Sequence, residues 1–247
     1  MLLLMMIWEF SPLWIAFFVM DVVLIILLRI LLVKKDDATK EKVLMIIAIA
    51  NFAFWVLYKI LLSMRPDFEF VFLKELPLHL CNLNSILIIV AIRTKKDFLL
   101  TFCYCLGTIG ALFSVLTPDQ NFVHTSILTA FGCYWLYHHI LLVQAISLVS
   151  TGFYRPKYKD IPKAAALLVI LYFVMHLFNM ILRSATHIDV NYLYTYGMEG
   201  NPITEALYRL IPLHPFFFLP VVIPLAGVMF LMVWLARLGK KDSPAKA

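Results

Sequence analysis

Seven long apolar runs divide the chain, at residues 14–33, 43–64, 77–92, 97–116, 124–150, 161–182 and 215–238. Crossing the hydrocarbon of a bilayer takes roughly 20 apolar residues, and a backbone without water must satisfy its own hydrogen bonds, as a helix does. Runs of this length exclude an ordinary soluble domain. Composition agrees: 63% of the 247 residues are hydrophobic and 15% are charged, with a mean hydropathy of +0.90. The expected fold is all-α, a polytopic membrane helical bundle of seven transmembrane helices forming a single domain over residues 1–247. The short linkers leave no room for a soluble domain, and no internal repeat is visible.

Local signals support these bounds. Ser11 and Pro12 suit a helix start, and the charged run 34–42 closes the first span. Gly107, Gly110 and Ala111 allow close helix approach in the fourth, and Pro162 sits where a first turn tolerates it in the sixth. Residues 183–214 are too polar to span and rich in tyrosine, so they are expected to cap the outer membrane face. Pro220 and Pro224 are expected to interrupt the seventh span. Residues 1–8 are apolar but carry no basic leader, which fits membrane anchoring rather than a signal peptide. The four cysteines all lie inside apolar runs, which argues against a disulfide framework.

The net charge of +6 and pI near 9.1 do not point to nucleic acid, because the basic residues cluster beside apolar runs rather than on one amphipathic face. Their placement is topological. Sixteen of them flank spans on one side: Arg29, Lys34, Lys35, Lys40, Lys42, Arg93, Lys95, Lys96, Arg155, Lys157, Lys159, Lys163, Arg237, Lys240, Lys241 and Lys246. Only Arg65, Lys74, Arg183 and Arg209 lie on the other, with Lys59 embedded in the second span. Positive charge stays cytoplasmic, so a multi-pass cell-membrane protein with its N-terminus outside and C-terminus inside is expected.

Residues 76–85, LPLHLCNLNS, place a histidine, a cysteine, two asparagines and a serine at the mouth of the third run. Unpaired polar atoms below the headgroups are costly, so intramembrane groups of this kind are candidates for function. Cys81 is a candidate nucleophile, with Asn84 and Ser85 on its helical face and His79 pointing away. An unpaired cysteine is equally well a small buried hydrophobe. His138 and His139 form an adjacent pair in the fifth span, and their 100° offset lets only one face Cys81. By depth, His124, His176 and His214 compete, and Asn179 at i+3 could orient His176. Asp21 and Lys59, the remaining embedded charges, could pair, or Asp21 could belong to a polar cavity. No two histidines have the i, i+4 spacing of a metal pair, and there is no phosphate loop or GxSxG elbow, so neither metal nor cofactor is expected.

LPLHLCNLNSIL from Leu76, TPDQ before His124, the HH pair, Asn179, NYLY from Asn191, GNP from Gly200 and PxxPFF from Pro212 occur in that order. Over residues 76–220 the chain thereby resembles the YwaF-type bacterial integral membrane family and its eukaryotic relatives, the transmembrane protein 164 group. The resemblance implies a phospholipid acyltransferase (transacylase) acting on membrane phospholipids or lysophospholipids. It implies a catalytic cysteine at Cys81 and a catalytic histidine at His139. Asn82 departs from the acidic residue that many bacterial members carry after the cysteine. With Cys81 as nucleophile, a thioester forms and a lysolipid hydroxyl accepts the acyl group. Asn82 or Asn84 would support the oxyanion, and His138, His124, His176 and Asn179 are supporting candidates. A transporter or small-molecule-binding seven-helix protein, or a non-catalytic membrane partner, is the other class, favoured by a broken seventh span.

The charge count makes a direct prediction: a reporter fused after Ala247 reads as cytoplasmic. An external reading would overturn the orientation.

Overall fold

A computed structural model describes residues 6–7, 11–66, 68–116, 125–126, 129–197 and 202–238. Eight α-helices carry the fold among these: α1 (Pro12–Leu32), α2 (Asp37–Ser63), α3 (Leu80–Thr94), α4 (Asp97–Leu116), α5 (Ala130–Ser150), α6 (Ile161–Thr186), α7 (Pro202–Leu210) and α8 (Leu219–Arg237). A two-residue antiparallel pair, β1 (Met6–Ile7) with β2 (Thr125–Ser126), joins the segments before α1 and α5.

The helices form where long apolar stretches meet capping residues. Ser11 accepts a hydrogen bond from the Trp14 amide at 3.2 Å, with Pro12 in the first turn of α1. Asp36 does the same for Thr39 at 2.7 Å at the start of α2, and these bonds hold its carboxyl below the usual range. Lys95 and His187 close α3 and α6 in the left-handed region, at φ 53° and 56°.

Six helices are long and apolar enough to cross a membrane: α1, α2, α4, α5, α6 extended back to Tyr158, and α8 extended back to Phe216. The third differs from expectation. It covers Leu80–Thr94, 15 residues, or about 22 Å against a hydrocarbon core of about 30 Å. The described fifth helix begins at Ala130 rather than near residue 124. The break expected in the last span is absent: Pro220 lies in the first turn of α8, and the helix runs through Pro224.

α4 and α5 are the buried centre, and α1, α2, α6 and α8 turn most of their surface to lipid. The largest cluster joins Phe102, Cys103, Cys105 and Leu106 of α4 to Leu44, Ile88, Leu148 and Met229 from its neighbours. All four cysteines are free thiols. Glycine sets the closest approach: a Cβ on Gly107 would lie 2.2 Å from Asn84 Nδ2 and 3.2 Å from the Ala145 Cβ. Between α6 and α7, Asn179 holds the turn at Tyr192–Tyr194. Its Nδ2 donates to the Tyr192 carbonyl and Thr195 Oγ1, both at 2.9 Å, and its Oδ1 accepts from the Tyr192 amide at 3.0 Å. The 192–195 stretch of the expected cap is thus docked on α6.

Gly107→Ala is expected to force α3 from α4 and cost about 1–3 kcal/mol, read as a lower thermal midpoint in detergent. An unchanged midpoint would show that Asn84 can move aside.

Candidate functional site

Cys81 lies in the first turn of α3, on the face that also buries Asn84, Ser85 and Ile88. Its Sγ is 3.6 Å from Ser114 Oγ of α4, and Gly110 makes room, since a Cβ there would stand 3.2 Å from the sulfur. Tyr137 of α5 clamps the turn. Its hydroxyl donates to the Cys81 carbonyl at 3.1 Å and meets Ser85 Oγ, which is also 3.1 Å from that carbonyl.

Reckoned from the start of the apolar run, Cys81 is too shallow for the histidine pair. Yet it packs beside Tyr137 and Leu141, the turn of α5 that contains both histidines. That turn lies about 10–16 Å along α5, so α3 begins well past the N-terminal end of its neighbour.

The two histidines are held differently. His138 Nδ1 meets the Tyr134 carbonyl at 2.8 Å, and its ring packs on Tyr134 and Tyr137. His139 turns to α1, where its Nδ1 lies 2.6 Å from Asp21 Oδ2. The Phe17 ring stacks on it at 4.8 Å and the Phe18 ring meets it edge-on at 5.3 Å. Both partners are buried, at 1% and 2% exposed. His139 Nε2 and Asp21 Oδ1 have no hydrogen-bond partner among the described residues. A carboxylate at Nδ1 makes that nitrogen the donor, and in a neutral ring Nε2 is then the nitrogen with the lone pair.

Asp21 does not pair with Lys59. Its expected partner, Lys59, bonds Glu75 at 2.5 Å instead, because the segment before α3 folds back to it. A carboxylate in mid-span was the available signal. Seeking a histidine as well as a cation at matching depth would have found its partner.

The other candidates scatter. Asn84 is buried, with its Nδ2 3.4 Å from the Cys103 carbonyl, while Asn82 is half-buried. His79 caps α3 without a side-chain bond and packs on Tyr192 and Tyr194. His176 is not oriented by Asn179. Both reach Thr195 instead, His176 through Nδ1 at 3.1 Å, in a cluster that has no hydrogen bond to Cys81 among the described residues. His214 stacks on Tyr208 at 4.6 Å, and His124 lies outside the described residues. No hydrogen bond joins Cys81 to His139 among the described residues; α5 carries one and clamps the other. No group of three or more metal-binding side chains occurs among the described residues.

Compared with known proteins, residues 5–233 match the family model described as TMEM164 family, a wider stretch than the motifs alone covered. Neither the curated proteins nor the solved structures gave a match.

The buried Asp21–His139 contact predicts strong coupling. Asp21→Ala or His139→Ala alone is expected to cost about 3 kcal/mol by leaving a polar group unpaired, and the double variant little more than either. Additive losses in thermal unfolding would show that the two side chains act separately.

Proposed function

This chain belongs to the TMEM164 family, and from that premise we propose that it is an intramembrane phospholipid acyltransferase with Cys81 as nucleophile and His139 as base. The observation that carries the reading is the Asp21–His139 pair, set on the same helix whose Tyr137 clamps the turn of Cys81: a buried imidazole with one nitrogen held by a carboxylate and the other unpartnered among the described residues. A base of this kind keeps one tautomer, and the carboxylate stabilises the imidazolium formed in the reaction.

The chemistry balances with this chain's own groups. His139 Nε2 takes the Cys81 proton as the sulfur attacks an ester carbonyl of the donor lipid. The carbon–sulfur bond forms, the ester carbon–oxygen bond breaks, and the proton passes from Nε2 to the departing lysolipid oxygen. A hydroxyl of a second lysolipid then gives its proton to Nε2 and attacks the thioester. The acyl group moves to that oxygen, and the thiol is restored. Asn84 has given one amide hydrogen to the Cys103 carbonyl, so Asn82 is the freer donor for the oxyanion. The acidic residue expected next to the cysteine is replaced in function by Asp21.

The same reading sets the membrane arrangement. Seven helices enter the bilayer with the N-terminus outside, six crossing in full and α3 starting part-way down. A transporter drew its support from a broken last span, and the continuous α8 removes that support.

Cys81→Ser and His139→Ala are each expected to abolish acyl transfer between phospholipids in reconstituted vesicles while expression is kept. Asp21→Asn is expected to slow it on the order of 10²-fold or more, and His138→Ala to have a mild effect. Full activity in Cys81→Ser would rule the mechanism out. Loss in His176→Ala with none in His139→Ala would move the base to the other cluster.

A further inference from the structure

A groove of about 310 Å³ opens between α4 and α6, lined by Phe98, Lys163, Ala166, Leu167 and Ile170. The four α6 residues fall at i, i+3, i+4 and i+7, one face of the helix, with the small Ala166 opening space below the lysine. Phe98 forms the opposite wall from the first turn of α4. Twelve residues, or about 18 Å along α4, separate Phe98 from Gly110 beside Cys81, so this is a different site.

Its two ends differ in chemistry. From Lys163 to Ile170 the groove descends roughly 10 Å along α6 past apolar side chains, enough to seat a length of hydrocarbon. Lys163 lines the mouth and Lys96 stands two residues before Phe98; both are exposed and neither has an ion-pair partner among the described residues. Of the neighbouring acids, Asp97 is bonded by Lys157 at 2.5 Å, and Asp160, three residues before Lys163, is buried and forms no ion pair with either lysine among the described residues. A lysine without an ion-pair partner over an apolar slot in a membrane-facing surface is complementary to a phosphate joined to an acyl chain.

We propose that this groove binds an anionic phospholipid, its phosphate on Lys163 with Lys96 beside it and an acyl chain lying along α6 between Phe98 and Ile170. A lysine that is merely solvated would be indifferent to lipid headgroup and to the shape beneath it. A phosphate-binding lysine over a chain slot depends on both. The site stands apart from the acyl-transfer reading, and its test reads binding rather than turnover.

The full chain, purified in detergent, is mixed with phosphatidylglycerol and phosphatidylcholine of identical acyl chains, and the retained lipid is read by native mass spectrometry. The expected result is about five-fold preference for phosphatidylglycerol, the factor that one lysine near a surface contributes. Lys163→Gln is expected to bring the ratio near one. Ala166→Trp, which keeps the charge and fills the slot, is expected to cut phosphatidylglycerol retention to a similar degree. Lys35→Gln, on the α1–α2 turn, is expected to leave the preference intact. The proposal is overturned by a wild-type ratio near one or by a ratio unchanged in Lys163→Gln. It is equally overturned by full retention in Ala166→Trp, or by a loss in Lys35→Gln as large as in Lys163→Gln.

Discussion

Below the headgroups a polar side chain has no water to fall back on, and the contact between Asp21 and His139 is where this fold meets that constraint most sharply. α1 is otherwise a lipid-facing helix: Val19, Val22, Val23 and Ile26 are exposed, and only Phe17, Asp21 and Leu32 are buried. Apolar residues gain little by leaving lipid for another helix, so a helix of this kind is held by packing and by polar contacts. Those contacts occur at three depths. Trp14 Nε1 donates to the Val115 carbonyl at 3.1 Å, Asp21 takes His139, and Arg29 donates to the Ser150 carbonyl at 3.2 Å. The middle one is buried, and the Phe17 ring covers it.

α5 makes this arrangement useful because different faces of one helix serve different neighbours. Trp135 and His139 turn to α1, Tyr137 reaches across to α3, and Tyr134 bonds the Ser114 carbonyl of α4 at 3.1 Å. Successive residues thus fix three helices relative to each other. The 100° step between His138 and His139 sends one ring to a carbonyl of its own helix and the other to α1. The first turn of α3 is then placed by hydroxyl groups, Tyr137 and Ser85, rather than by a cap on its own N-terminus.

The sequence made the membrane bundle legible because hydrocarbon thickness fixes run length, and Ser11 and Pro162 mark helix starts that the structure keeps. It was less informative wherever a run's ends depend on tertiary contacts. The start of α3 could not be read from hydropathy, since residues 76–79 are as apolar as a helix entry but fold outside the helix. Pro224 looked like a break because local chemistry removes one hydrogen bond, yet a helix with neighbours on one side absorbs it. Lys59 and Asp21 were both visible as embedded charges. Pairing them required knowing that Glu75 returns to Lys59 across 16 residues and that His139 reaches Asp21 across 118.

That last distance bears on how such a site can be assembled. A carboxylate beside the cysteine would have to act from the same helical turn, where its position is tied to that of the nucleophile. Carried on α1, it is positioned against the histidine instead, and Asn82 remains free for another task. The burden then shifts to α1, a helix with little buried surface of its own: whatever holds it against α5 also holds the His139 ring. In the proposed mechanism, stability of the first helix and readiness of the base are the same contact.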